Sequence, residues 1–488
     1  MAELVVASNR GPVQFEVDDD GNLTAGRGAG GMVAALGPAL AGQVGTWVAA
    51  AISEGDRVAA RRVARSGRLR PVELAQGLVR LRSLVLDPRE YAGYYNRVAN
   101  RTIWFLHHYL FDVPRHPRFD GSFRTAWRHY EDVNRAFAAA CDDEVDRGGE
   151  VFAQDYHLAL LPAMLRQRRP DLRIAHFTHC PWADPGYFMM LPSRVAGGIL
   201  EGMLGADLLG FLSPRWARNF LHCCLEAGYR VDLGQSAVEA GDGRRVRVRT
   251  YPLGVDGEAL RELAAQADVR AQERVVADLA RGRRLIVRVD RMELSKNILR
   301  GLEGYGTFLE RSPRARGRVV HYALAYPSRR DLPEYQAYTA EVKHMADAIN
   351  ERFRTRSWEP VLLELRDNYP RALAAMAAAD VLVVNPVWDG MNLVAKEGPV
   401  VSRRDLALIL SRNAGAADDL GPGALLVNPF DTAELAEATA TALELSPDER
   451  AKRSALLREG ATALPPQTWF RVQRDDLRDA TGRGQTPG

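Results

Sequence analysis

Asn385-Pro386-Val387-Trp388-Asp389-Gly390-Met391-Asn392-Leu393-Val394-Ala395-Lys396-Glu397 is the stretch whose reading decides the fold. The β-branched run before it, Val381-Leu382-Val383-Val384, reads as a strand buried on both faces, and the apolar residues after it resume at helical spacing. Strand, tight turn and helix start thus follow one another directly. Asp389-Gly390 is expected to make the turn, because glycine takes backbone angles that other residues avoid. Met391, Asn392 and Leu393 would then present backbone N–H groups at a helix N-terminus, an end that binds anions, diphosphates included. Asp389 and Glu397 bracket this end, one placed for sugar hydroxyls and the other for a ribose diol. On spacing alone, an ordinary strand-to-helix turn with two solvated acids stands as the alternative.

The chain of 488 residues is too long for one compact core and suits two or three domains. A net charge of +3, dispersed along the chain, argues against nucleic-acid or membrane-surface partners, so any anion site must be local. Cys141, Cys180, Cys223 and Cys224 lack the spacing of a zinc site or of a secreted disulfide framework, which points to reduced thiols in a cytoplasmic protein. The run Leu4-Val5-Val6-Ala7 after Met1 is too short for a signal peptide, and no segment approaches a membrane span. Only four of the 65 basic residues are lysines: Lys296, Lys343, Lys396 and Lys452. A lysine that persists among so many arginines suits a phosphate oxygen as a compact point charge, whereas Lys343 and Lys452 fit an exposed surface.

Working outward, strands are expected at residues 3–7, 46–51, 151–153, 173–178, 206–211 and 246–251, then at 285–289, 319–326, 361–364, 381–384, 407–410 and 424–427. Helical stretches separate them, so the fold class is α/β: two doubly wound Rossmann-like sheets whose carboxyl ends face a central cleft. The domains are placed at residues 1–253 and 254–462, with a final helix and loose tail at 463–488. Gly26, Gly28 and Gly31 match the G-x-G-x-x-G pattern, but the polar excursion after the first strand breaks the dinucleotide fingerprint. A glycine loop closing over a sugar or phosphate, followed by a helix from Met32 to Leu40, fits better, and no cofactor is expected. Tyr94-Tyr95 and Thr102-Ile103-Trp104-Phe105 read as two aromatic clusters one short helix apart, core or the wall of a sugar site. Gln154-Asp155-Tyr156-His157 and His179-Cys180-Pro181-Trp182 follow strands, at the end where open α/β sheets bind ligands. Arg291 and Lys296, after the first strand of the second half, can together neutralise a diphosphate.

With Asp389 to Glu397, the Arg291 and Lys296 pair, Asp155-Tyr156-His157-Leu158 and the opening Ser8-Asn9-Arg10, the chain resembles the trehalose 6-phosphate synthase family of retaining glycosyltransferases. The resemblance runs from Leu4 to about residue 430. It implies a GT-B architecture, a nucleoside diphosphate glucose donor, a glucose 6-phosphate acceptor, and no nucleic-acid or membrane partner; a homo-oligomer is compatible with it. Carried over by position, Arg291 and Lys296 are similar to the residues that grip the donor diphosphate, and Glu397 to the ribose ligand. Asp389, Gly390, Met391, Asn392 and Leu393 resemble the group on the donor glucose and phosphate, with Gly30 and Gly31 in the loop closing on the donor. His179 resembles the residue that contacts the donor sugar near the reacting face; it joins Arg291, Lys296 and Asp389 as the implied catalytic set. For the acceptor, Arg10 and Arg329 resemble a phosphate clamp, Tyr95 and Trp104 its wall, and Asp155 a hydroxyl ligand.

The chain departs from the family pattern at Gln154, where a histidine is common, and at Asn297, where glycine is common. Cys180-Pro181-Trp182 likewise stands for Ile-Pro-Phe. Arg366-Asp367-Asn368 replaces the His-Phe pair of uridine-using members, and a carboxylate there suits the N1–H and N2–H₂ donors of guanine, which inclines the reading from UDP-glucose to GDP-glucose. Another phosphorylated acceptor, such as glycerol 3-phosphate or an aminocyclitol phosphate, is the nearest alternative; a non-catalytic sugar-phosphate sensor is the next.

Overall fold

The computed structural model describes residues 2–18, 20–27, 36–37, 45–66, 70–74, 77–329 and 332–482. Gly28, Gly30 and Gly31, with most of the helix expected from Met32 to Leu40, lie outside them. The strands are β1 (Ala2–Ser8), β2 (Val13–Val17), β3 (Leu23–Arg27), β4 (Gly45–Ala50), β5 (Arg70–Leu74), β6 (Gly77–Leu84), β7 (Val145–Gln154), β8 (Arg173–Thr178) and β9 (Leu208–Phe211), then β10 (Val231–Asp232), β11 (Ala237–Glu239) and β12 (Arg245–Thr250). After them come β13 (Arg284–Met292), β14 (Val319–Pro327), β15 (Val361–Glu364), β16 (Val381–Val384), β17 (Ala407–Ser411) and β18 (Leu425–Val427).

The chain divides into two compact units, Met1–Leu253 with Pro466–Gly488, and Gly254–Pro465. In the first unit ten of the described strands form one sheet in the order β10-β11-β12-β9-β8-β7-β1-β4-β6-β5, and β2 and β3 pair as a separate antiparallel hairpin. Its centre is parallel, and only the edges, β5 and β10–β11, run antiparallel. Helices cover both faces of such a centre, which is why β1 and β4 are apolar at nearly every position and buried throughout Leu4–Ser8 and Gly45–Ala50. The helix Pro466–Ala480 belongs to this unit rather than standing apart. Trp469, fully buried, donates to the Tyr251 carbonyl at 3.0 Å, and Arg474 and Arg478 pair with the buried Glu150.

The second unit holds a six-stranded, wholly parallel sheet, β15-β14-β13-β16-β17-β18. β16 is buried at all four positions, as its β-branched run requires. Ile286, Val381, Val383 and Ile409 project into a core closed by Ile298, Leu302 and Phe308 of the helix Ile298–Arg311 and by Val342 and Ile349 of the helix Pro333–Phe353.

Two differences from the sequence reading bear on the site. β13 continues through Asp290, Arg291 and Met292, because pairing with β14 holds the ladder to Met292–Pro327 although the apolar run ends at Val289. Tyr94-Tyr95 and Thr102–Phe105 are not separated by a short helix; they lie on one π-type helical segment, Gly93–Trp104, that runs on into Phe105–His107.

Candidate active site

In the second unit, β13 and β16 lie side by side, so the turns after them converge. The Lys296 ammonium sits 2.6 Å from an Asp389 carboxylate oxygen, and the Asn392 amide donates to the same oxygen at 3.1 Å. Burial works against the Lys296 charge, but Asp389 and Asp290 outweigh it and hold the ammonium above its ordinary pKa. Lys296 is therefore a fixed cation. Lys396, which is buried, pairs with Asp419.

The turn itself corrects an expectation. The left-handed residue is Asn392 (φ 79°), not Gly390, and the helix starts one residue later, at Leu393. Asparagine tolerates that backbone because its side chain bonds locally: its oxygen caps the helix by accepting from the Ala395 N–H at 3.2 Å. Met391 and Asn392 thus precede the helix, and only Leu393 of the expected three lies in its first turn. The glycine that the turn needs for space is Gly415, where a Cβ would meet the Gly390 carbonyl oxygen at 2.0 Å. Glu397 is half-buried one turn into this helix, while Arg366 and Asp367 are exposed just beyond β15.

Arg291 rests on Glu293, Nη1 to Oε1 at 2.8 Å, and Arg329 reaches the other oxygen at 3.7 Å. The carboxylate beneath them is wholly buried, and the Ser328 hydroxyl donates to it at 3.0 Å. Burial alone would raise its pKa; Arg291, Arg329 and Lys296 overcome this and bring it down to about 2. Sequence reasoning missed Glu293, a single acid in a polar run whose second partner lies far along the chain. Asn297, in place of the family's glycine, takes a left-handed backbone (φ 58°) and spends its side chain on the carbonyls of Asn385 (3.0 Å) and Pro429 (2.7 Å).

The other expected residues gather in the first unit. His179 is half-buried; its backbone N–H donates to Asp155 at 3.1 Å and its Nε2 lies 2.8 Å from the Gln154 side-chain oxygen. Burial lowers its pKa and Asp155 only partly offsets this, so the imidazole is neutral at pH 7. Asp155 has a left-handed backbone (φ 70°) just past β7. Burial would raise its pKa, but the His157 and His179 interactions take it down to about 2. Arg10 donates to the Tyr95 hydroxyl at 3.4 Å, and the Tyr95 ring stacks on Tyr91 (5.4 Å) and His157 (5.7 Å). Trp104 stacks on His108 at 3.7 Å and packs beside Tyr156. Arg10, Tyr95, Trp104, Asp155 and His179 therefore belong to one unit, and Arg329 to the other with Arg291.

Among the described residues no group of His, Cys, Asp and Glu is placed to hold a metal ion, and no helix is long and apolar enough to cross a membrane. Residues 2–479 match the model of glycosyltransferase family 20. Trehalose-6-phosphate synthase of Mycobacterium marinum is 35% identical over 492 residues, covering 98% of this chain and 94% of the relative. Two solved structures are similar throughout. The trehalose-6-phosphate structure from E. coli bound with UDP-2-fluoro glucose has a TM-score of 0.83 at 27% identity, covering 97% of this chain and 98% of that one. A UDP-forming alpha,alpha-trehalose-phosphate synthase from Burkholderia xenovorans in complex with glucose-6-phosphate has a TM-score of 0.84 at 28% identity, covering 97% and 99%. The fold is the α/β GT-B fold with its parallel sheets, and the chain belongs to glycosyltransferase family 20.

Proposed function

We propose that the chain is a trehalose-6-phosphate synthase: it moves glucose with retention from a nucleoside diphosphate glucose to glucose 6-phosphate, giving α,α-trehalose 6-phosphate. The observation that carries the reading is the fixed Lys296–Asp389–Asn392 contact at the start of a helix, flanked by Arg291 on its buried carboxylate. In this reading Lys296 and Arg291 take the diphosphate, Asp389 with Gly390 to Leu393 takes the glucosyl hydroxyls and phosphate, Glu397 the ribose and Arg366 the base region. Gly30 and Gly31 close on the donor. Arg10 and Arg329 take the acceptor phosphate, with Tyr95 and Trp104 as walls and Asp155 on a hydroxyl.

The acceptor hydroxyl then attacks the anomeric carbon on the face that the diphosphate leaves. It passes its proton to a departing phosphate oxygen as the C–O bond to the diphosphate breaks and the new glycosidic bond forms. Charge grows on the leaving phosphate, where Lys296, Arg291 and the Leu393 helix start are preorganised to receive it. The neutral His179 imidazole, whose one N–H faces the Gln154 oxygen, leaves Nδ1 to accept from a sugar hydroxyl without adding a charge beside the developing oxocarbenium. Asp367, exposed after β15, favours a guanine base over uracil, while the Burkholderia relative is described as UDP-forming.

The test is release of nucleoside diphosphate by the purified chain given glucose 6-phosphate, with UDP-glucose and GDP-glucose in parallel and Arg291→Ala as control. Release with either donor, lost in the variant, together with an α,α-linked product by NMR, is the expected result. No release with either donor overturns the assignment of glucose 6-phosphate as acceptor, and a β-linked product overturns retention.

A further inference from the structure

Arg288 sits in the middle of β13 with none of its surface exposed, on a sheet whose neighbouring positions are Val287 and Val289. A charged side chain at such a position needs partners, and two of the three here belong to the donor-side turns, while the third, Asp290, lies two positions along the same strand. One guanidinium nitrogen donates to the side-chain oxygen of Asn385, the residue that opens the turn after β16. The same nitrogen lies 3.4 Å from the Lys296 carbonyl, and Nε lies 3.4 Å from a carboxylate oxygen of Asp290, the neighbour of Arg291. Asn385 is itself wholly buried and returns a hydrogen bond to the Asn297 carbonyl at 3.3 Å.

The space that the guanidinium occupies is left by the helix Ile298–Arg311. A Cβ at Gly301 would lie 3.0 Å from Arg288 Nη1 and 3.1 Å from the Asn385 side-chain oxygen. A side chain grown from Gly301 therefore points into the same polar pocket from the opposite wall.

We propose that Arg288 is a positioning residue for the donor half: through Asn385 and the Lys296 backbone it locks together the turns after β13 and β16, and so aims the Lys296 ammonium. Arg288 itself, enclosed in the core, touches no substrate. The proposal rests on the assignment of Lys296 and Asp389 to the donor diphosphate. It also makes a structural demand on Gly301: what the pocket requires is one guanidinium, whichever wall supplies it.

The experiment measures UDP and GDP binding to the full chain by calorimetry for Arg288→Met, Gly301→Arg and the double variant Arg288→Gly/Gly301→Arg. Loss of a buried charge-assisted clamp is expected to weaken binding of both nucleotides at least about tenfold in Arg288→Met. Gly301→Arg alone, which crowds two guanidiniums into one pocket, is expected to bind as poorly. In the double variant the relocated guanidinium is expected to restore affinity to within about threefold of the parent, a recovery that a general loss of core packing would not give. Arg288→Met binding like the parent, or a folded double variant no better than Gly301→Arg, overturns the proposal. If Arg288→Met does not fold, the double variant decides: folded and binding supports the shared pocket, while unfolded or non-binding refutes it. A parent chain that binds neither nucleotide overturns the donor assignment and this proposal with it, whereas a parent that binds beside variants that are unaffected overturns this proposal alone.

Discussion

Glu293→Gln keeps the volume of a buried side chain and removes its charge, which isolates what the carboxylate does beneath Arg291 and Arg329. Its pKa of about 2, against an ordinary 4.5, corresponds to about 3 kcal/mol of stability at neutral pH. The sign follows from the direction of the shift. A depressed carboxylate binds its proton less readily in the folded chain than in the unfolded one, so its contribution is complete above pH 4.5 and is lost as pH falls from there towards 2. The amide also leaves two guanidiniums facing one another with no anion between them, the costly half of a broken buried pair, commonly about 3–5 kcal/mol. Urea unfolding at pH 7 is therefore expected to show Glu293→Gln less stable by about 3 kcal/mol, and the gap to the parent is expected to narrow as the buffer is taken below pH 4.5. Turnover, read as nucleoside diphosphate release, is expected to fall by about tenfold to a hundredfold because Arg291 loses its rest. A variant within about 0.5 kcal/mol of the parent at pH 7, with unchanged turnover, would refute the role of Glu293 as the seat of both arginines.

Two further predictions follow from the same geometry. Lys296→Met, which removes the cation 2.6 Å from Asp389, is expected to lower turnover about a hundred- to a thousandfold at saturating glucose 6-phosphate, and near-normal turnover would show that the diphosphate is neutralised elsewhere. Burial takes His107 and His321 down to about 3 and His176 to about 4, so the unfolded chain binds protons that the folded chain refuses. Stability is thus expected to fall as pH drops below 6.5, by about 1.4 kcal/mol per pH unit for each of the three. Urea titrations at pH 7.5, 6.5 and 5.5 check this, with His321→Phe expected to show the shallower slope and an equal slope counting against it.

The apolar runs were legible because a parallel sheet buries both faces of its inner strands: Val381–Val384 and Arg173–Thr178 have the bounds that composition implies, as does the half-buried edge strand Val361–Glu364. β7 was legible only from Val151, since Asp146, Arg147, Gly148 and Gly149 continue no apolar run, and the pairing of Val145 with Ala2, across a shift in register, carries the strand back. Scarcity proved an informative signal for lysine. Lys343 and Lys452 are exposed, while Lys296 is half-buried against Asp389 and Lys396 is buried against Asp419. What stayed hidden was of two kinds. Asn392 rather than Gly390 takes the left-handed turn, and either residue type could do so; what favours Asn392 is its bonds to Ala395 and Asp389, which no local pattern encodes.

Glu293 left no trace because its role depends on Arg329, two residues past the end of the next strand, and long-range pairing has no spacing rule. Arg288 is a different case. A charge inside Leu285-Ile286-Val287-Arg288-Val289, a run otherwise fit to be buried on both faces, contradicts its own strand unless a polar pocket waits for it. A glycine within the first turn of the following helix is the matching sign, since helix interiors disfavour glycine unless a neighbour needs the room. Together the two residues state in sequence what the fold then supplies: one guanidinium, one space, and the donor-side turns tied to both.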